Sequence, residues 1–354
     1  MGVTLYQWTD ASAPSLTGQV GSLTALLDAI LVNGYGSVSA AGWSIAYTST
    51  NKRQYAMASG GTGRQLYVDD TGPGGGGAKE ARVTGWVGGS GLNAGTRQFP
   101  TTTQMTSPSG AVVWRKSNTA DTTVRPWRAV ADGHTLWLML YNGDFTTPLP
   151  AQMCAFGDFF SYNAADVDNC HILGRTAENS TSFQYDWFCE LPFINNNPSI
   201  LAICPSGHYA DANFTGVGGS VPLGHLIDVS AILNNNQGQG TLYQTITGNT
   251  VPNNGNIKIG HYYFSGFSYP YPRPADGSLV VSPYKVLSGG CERGYLKGCW
   301  VPLHDRPLND GDTVTITGGP LNGKTLMAIN CQCWGSGNNN DFGQVLIETS
   351  NTWA

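Results

Sequence analysis

Only one stretch of this chain carries clear helical periodicity. Leu23, Leu26, Leu27, Ile30 and Leu31 recur at the spacing that places five apolar side chains on one helix face, with Ser22 as a candidate N-cap and Asn33-Gly34 to end the run. Such a stripe has to be buried. We expect it to lie on the chain's own sheet in preference to a neighbouring subunit. Everything after it changes to short runs of alternating or β-branched residues. Trp43 to Tyr47, Gln65 to Val68, Ala81 to Val83, Ala111 to Lys116, Trp127 to Ala131 and His134 to Leu140 all read as strands. Asp132-Gly133 between the last two predicts a two-residue type I′ hairpin.

The expected fold is therefore mainly β: antiparallel sandwich- or barrel-like domains with one short N-terminal amphipathic helix. The segments suggested are an arm and helix over 1–35, a β domain over 36–150, a middle β region over 151–285 and a C-terminal β segment over 286–354, which packs back on the first β domain. Composition agrees. Glycine supplies 47 of 354 residues and charged residues only 12%, about twice and about half the usual shares. Aromatic residues are abundant, so disorder is excluded. "PGGGG" at 73–77 reads as a loop that stays mobile unless a partner orders it. The Asn triplets at 195–197, 234–236 and 338–340 read as turns or surface loops. "FSYPYPRP" at 267–274 reads as an extended linker.

One motif suggests nucleotide binding. Gly318 to Thr325 fits G-x-x-x-x-G-K-[ST], whose backbone N–H groups and lysine cradle phosphates where the loop opens a helix. Here Leu326 to Ile329 is followed at once by Asn330, Cys331 and then Gly335, which leaves no room for that helix. A strand reads before it, at Asp312 to Thr317. The segment is expected to be a β-hairpin with Lys324 in solvent.

Other function classes are narrowed in the same way. Lys and Arg total 18, the net charge is −5, and no basic grouping exceeds a pair such as Lys52-Arg53, so no basic stripe for nucleic acid is expected. No apolar run approaches the length of a membrane span. No basic residue precedes Lys52 and "MGVTLY" lacks the myristoylation Ser/Thr, so synthesis in the cytoplasm is expected. There is no G-x-S-x-G, H-E-x-x-H or EF-hand pattern, and the six histidines are scattered. Asp69, Asp70, Glu80, Asp186 and Glu190 are carboxylates a glycosidase could use, but their spacing pairs none of them. Asp69-Asp70-Thr71-Gly72 is more simply a turn than a calcium loop. Of eight cysteines, Cys331-Gln332-Cys333 is the one close pair, and zinc there would need Cys291, Cys299 or His304. Buried free thiols are the simpler reading, with disulfides formed after release as a third. The dense aromatics Tyr262, Tyr263, Phe264, Phe267, Tyr269 and Tyr271 suggest core, interface or sugar stacking.

Several longer stretches add a resemblance. "GWSIAYTSTNKRQYAM" (42–57), "LYVDDTG" (66–72), "AKEARVTGW" (78–86) and "AVVWRKSNTADTTVRPWRAVADGHTLWL" (111–138) resemble a family of tailed-bacteriophage structural proteins. So do "RGYLKGCWVPLHDRPLNDGDT" (293–313) and "GQVLIETSNTW" (343–353). The resemblance covers roughly 1–175 and 285–354. It implies an all-β virion component present in several copies, assembled in the host cytoplasm, in contact with copies of itself and other virion proteins. It implies no catalytic residue, metal or cofactor, and leaves head decoration, neck, baseplate and fibre attachment open. The alternative is a glycan-binding or glycan-cleaving protein of the tail tip, with a host surface glycan as partner.

Overall fold

A computed structural model of the chain describes residues 2–102, 110–142, 151–175, 178–179, 202–203, 223–224, 271–288, 291–302, 304, 307–332 and 342–354. The chain is mainly β, with 46% strand against 7% helix. The strands form three antiparallel sheets among the described residues.

The first sheet runs in the order β2 (Ser44–Ser49), β3 (Lys52–Ala56), β4 (Gln65–Asp69), β5 (Glu80–Gly91), β6 (Ala94–Phe99), and β7 (Val112–Arg115) also pairs with β5. The second, central sheet runs β1 (Thr4–Gln7), β8 (Trp127–Ala131), β9 (Thr135–Leu140), β10 (Gln152–Asp158), β12 (Cys170–Leu173), β13 (Ala202–Ile203). The third runs β14 (Leu223–Gly224), β15 (Val281–Ser288), β16 (Cys291–Pro302), β19 (Phe342–Glu348), β18 (Thr325–Gln332), β17 (Thr313–Thr315), and β11 (Phe160–Ser161) pairs with β16.

The side chains explain the layering. In β9 every residue is buried, because alternate residues serve two different cores. Leu136, Leu138 and Leu140 join Phe156, Ile172, Leu66, Val68, Val83 and Trp114 in a core shared with the first sheet. Trp137 and Met139 join Met153, Ala155, Leu296, Val301, Ile329 and Ile347 in a core shared with the third. The central sheet is covered on both faces, and the three sheets stack as a double sandwich.

The helical stripe lies on the chain's own sheets. Helix α1 (Ser22–Leu27) continues as a π-helical turn, Asp28–Asn33, and Gly34 closes it at φ 75 with its N–H bonded to the Ala29 carbonyl. Leu23, Leu26, Leu27, Ile30 and Leu31 are all fully buried in the core between the first two sheets. Leu27→Ala should therefore cost about 3 kcal/mol, within the range for truncating a buried leucine. Urea unfolding of the two chains measures it, and an unchanged midpoint would show that the stripe carries no packing.

Two local expectations need correction. The β8–β9 hairpin forms, but Gly133 does not take the positive φ a type I′ turn requires. Instead the Asp132 carboxylate accepts from the N–H groups of His134 and Thr135, both at 2.7 Å, and fixes the turn from the side chain. Ser22 does not cap the helix: its hydroxyl donates to the Thr17 and Gln19 carbonyls, and Gly21, in a left-handed conformation, holds the cap position.

The phosphate-loop look-alike is a hairpin. β17 and β18 are antiparallel neighbours, joined through Gly318, Gly319 and Gly323, all at positive φ, and a strand stands where a nucleotide-binding helix would be. Lys324 is not the solvated lysine expected there. It reaches the buried Glu348 carboxylate at 2.9 Å and the Thr352 carbonyl, because the C-terminal segment folds back beside the turn.

Candidate functional site

Two places in the fold combine unusual chemistry with a defined setting. One is a buried ionic seam at one end of the first sheet. The other is an exposed group of aromatic rings at the edge of the third.

The seam begins with Asp70, directly after β4, and Lys116, directly after β7. These strands flank β5 on opposite sides, so the two side chains meet across its beginning. Both are wholly shut off from solvent and in direct contact. The Asp70 Oδ2 atom also accepts from the N–H groups of Leu23 at 2.8 Å and Thr24 at 3.3 Å, which supplies the cap that Ser22 does not. The Lys116 ammonium donates to the Gln19 carbonyl at 2.6 Å. Burial raises the Asp70 carboxyl above its ordinary range and lowers the Lys116 amine, each against the pull of its partner.

The neighbouring charges are committed too. Lys52 meets Asp69 at 2.7 Å and Arg53 meets Asp28 at 3.0 Å, so this adjacent basic pair is neutralised. Burial works to raise the Asp69 carboxyl, but hydrogen bonds from Lys52 and Thr71 hold it below the usual range. Glu80 lies 3.4 Å from Arg115 and accepts from the Asn179 N–H at 2.8 Å. Glu178 pairs with Arg82, which lowers its carboxyl.

These carboxylates also reach the "PGGGG" loop. Glu178 accepts from the Gly75 N–H at 3.2 Å. A Cβ on Gly74 would stand 1.9 Å from Glu178, and one on Gly76 1.8 Å from Glu80. At Gly74 and Gly76 the backbone closes over two carboxylates of its own chain, and Gly77 takes a positive φ.

Of the glycosidase candidates, Asp69, Asp70 and Glu80 do come together at this end of the sheet, but each is tied to a basic residue or to backbone N–H groups. Asp186 and Glu190 lie outside the described residues. So do Tyr262, Tyr263, Phe264, Phe267 and Tyr269, the three Asn triplets and the first half of the 267–274 segment. Tyr271 is described, and its ring meets His304 edge-on at 5.5 Å. Cys154, Cys170 and Cys299 are buried and outside any disulfide. Cys299 lies in the core between the second and third sheets, and burial pushes its thiol up. Among the described residues no three His, Cys, Asp or Glu side chains converge as metal ligands. No helix among them is long and apolar enough to cross a membrane.

The aromatic group sits on β11 and its partner. Phe160 stacks on Tyr295 at 4.8 Å, and Tyr162 stands edge-on to Phe160 at 5.8 Å. Phe160 is 44% exposed, Tyr162 55% and nearby Val167 69%, so this surface is open and apolar. Its border is charged, and those charges pair within the chain. Arg293 grips Asp166 through two hydrogen bonds of 2.7 and 2.6 Å, and Asp168 meets Arg64 and Arg97. Sequence reading passed over this site. The signal was Phe160-Ser161-Tyr162, an alternation that puts both rings on one face; what it lacked was Tyr295, brought opposite Phe160 by the strand register from far along the chain.

No family model matches this chain, and comparison with curated proteins finds no match.

Proposed function

We propose that the chain is a non-catalytic structural component of a tailed-phage virion, present in several copies, and that the Phe160, Tyr162, Tyr295 and Val167 surface is where a neighbouring virion subunit seats. The observation that carries the assembly reading is this open aromatic surface, whose rim charges are paired within the chain. Interface centres are rich in aromatic residues and poor in unpaired charge. A rim whose charges already pair within the chain leaves little for a strongly charged partner to gain. The phage setting rests on the sequence stretches that resemble such proteins. A double sandwich built from many short strands, low in charge, suits that role.

The same rings could stack against a sugar. Glycan cleavage has less support, because the carboxylates the fold gathers are held by cations. Mass spectrometry of purified virions should find the chain in stoichiometric amounts. Tyr162→Ser, at an exposed position, should leave the unfolding midpoint unchanged while weakening subunit association by about 1–2 kcal/mol, roughly 5- to 30-fold. Absence from virions would overturn the phage reading. Binding of host polysaccharide lost in Tyr162→Ser, with association intact, would replace the subunit interface by a glycan site.

A further inference from the structure

We propose that Lys116 and Asp70 join covalently, forming an intramolecular isopeptide bond between Lys116 Nζ and Asp70 Cγ with the release of one water. The proposal is independent of the phage reading and starts from the contact itself. An amine and a carboxyl group touch in a site that neither shares with solvent.

Amide formation from these groups needs a neutral amine, a polarised carboxyl and a dry setting. The setting is dry, since both side chains are completely buried. Burial opposes both charges, and its effects on the two groups run toward a neutral amine beside a neutral acid. Polarisation comes from the backbone. The Leu23 and Thr24 N–H groups both point at Oδ2, and they stabilise the negative charge that develops there when the carbon is attacked. The amine is oriented by the Gln19 carbonyl, which accepts one of its hydrogens at 2.6 Å and so helps aim the nitrogen lone pair.

The step balances without any further reactant. The Nζ lone pair forms the new bond to Cγ, and the C=O electron pair moves onto Oδ2. A proton passes from the nitrogen to the Oδ1 hydroxyl. Water departs with the C–Oδ1 electrons, and the C=Oδ2 bond re-forms. The product is an uncharged amide that inherits the existing partners: its N–H faces the Gln19 carbonyl and its oxygen keeps the two backbone donors. A buried ion pair, which has to overcome the desolvation of both charges, is replaced by a satisfied neutral group. The bond would clamp β4 to β7 across the start of β5, joining positions 46 apart in sequence.

Intact-mass measurement on the denatured full chain tests this. The native chain should be lighter than its sequence by one water. A tryptic digest should contain one branched peptide joining the Asp70 and Lys116 segments, which separates this bond from water loss elsewhere in the chain. Asp70→Asn should lose one ammonia in place of water and give the same branch. Lys116→Met should have its full sequence mass whether or not it folds. Native protein at full sequence mass, with Asp70 and Lys116 recovered in separate peptides, would overturn the proposal and leave an ion pair.

Discussion

Asp70→Ala is expected to lower the stability of the fold by about 4 kcal/mol through loss of the ion pair, and by more where the native seam carries the amide bond proposed above, since the cross-link is lost as well. Removing one member of a fully buried ionic pair costs about 3–5 kcal/mol, because the other is left charged without compensation. Here the orphan is Lys116, whose side chain is wholly buried. The same truncation strips the Leu23 and Thr24 N–H groups of their shared acceptor, and loss of a helix cap adds about 1 kcal/mol. Against this, an alanine avoids the desolvation of the carboxylate, which keeps the total near the middle of the range. The double variant Asp70→Ala/Lys116→Met should recover a large part of the loss, since it removes the stranded cation as well. Urea unfolding midpoints of the native chain and both variants measure these differences. An Asp70→Ala chain within about 1 kcal/mol of native would mean that the seam is hydrated in solution and that Lys116 finds another partner.

What could be read from the sequence was local. The stripe Leu23 to Leu31 identifies its helix because the period is intrinsic to five residues, and β4, β8 and β9 follow from alternation and β-branching. The same locality explains what was missed. The acceptor for the first helical N–H groups is Asp70, 47 positions from Leu23, so no nearby residue announces it. Lys324 looks free in its own hairpin and is held by Glu348, which β19 brings alongside. The glycines of 73–77 suggest freedom, yet at Gly74 and Gly76 the Glu178 and Glu80 side chains fill the space a Cβ would need. Thr135 to Leu140 reads as a strand either way, but that both of its faces are covered becomes visible only when two other sheets are in place. The aromatic surface is divided between Phe160, Tyr162 and Tyr295, and the sequence offered a denser aromatic run elsewhere to draw the eye.

Acid should destabilise the chain from about pH 6.5 downward, through His171. This side chain lies on β12 in the core between the second and third sheets, completely buried, with its ring 5.8 Å from that of Trp137. Its ring nitrogens have no hydrogen bond of ordinary geometry. Burial, aided by the nearby Lys297 charge and only partly offset by the Gly157 backbone, lowers its pKa from 6.5 to about 3. The sign follows from which state binds the proton. Above pH 6.5 the histidine is neutral in both folded and unfolded chains and makes no difference. Between 6.5 and about 3 the unfolded chain takes up a proton that the folded chain refuses, so stability falls as pH falls, by about 1.4 kcal/mol per unit. Between pH 6.5 and 4.5 the loss is about 3 kcal/mol, a sizeable part of a typical domain's stability. That window lies above the ordinary Asp range, so most carboxylates remain ionised across it. The variant His171→Leu, of similar bulk and with nothing to protonate, isolates the effect. Its urea midpoint should be nearly flat from pH 6.5 to 4.5 while that of the native chain drops. Parallel pH profiles for the two chains would place the acid sensitivity elsewhere and show that the His171 ring reaches water when protonated.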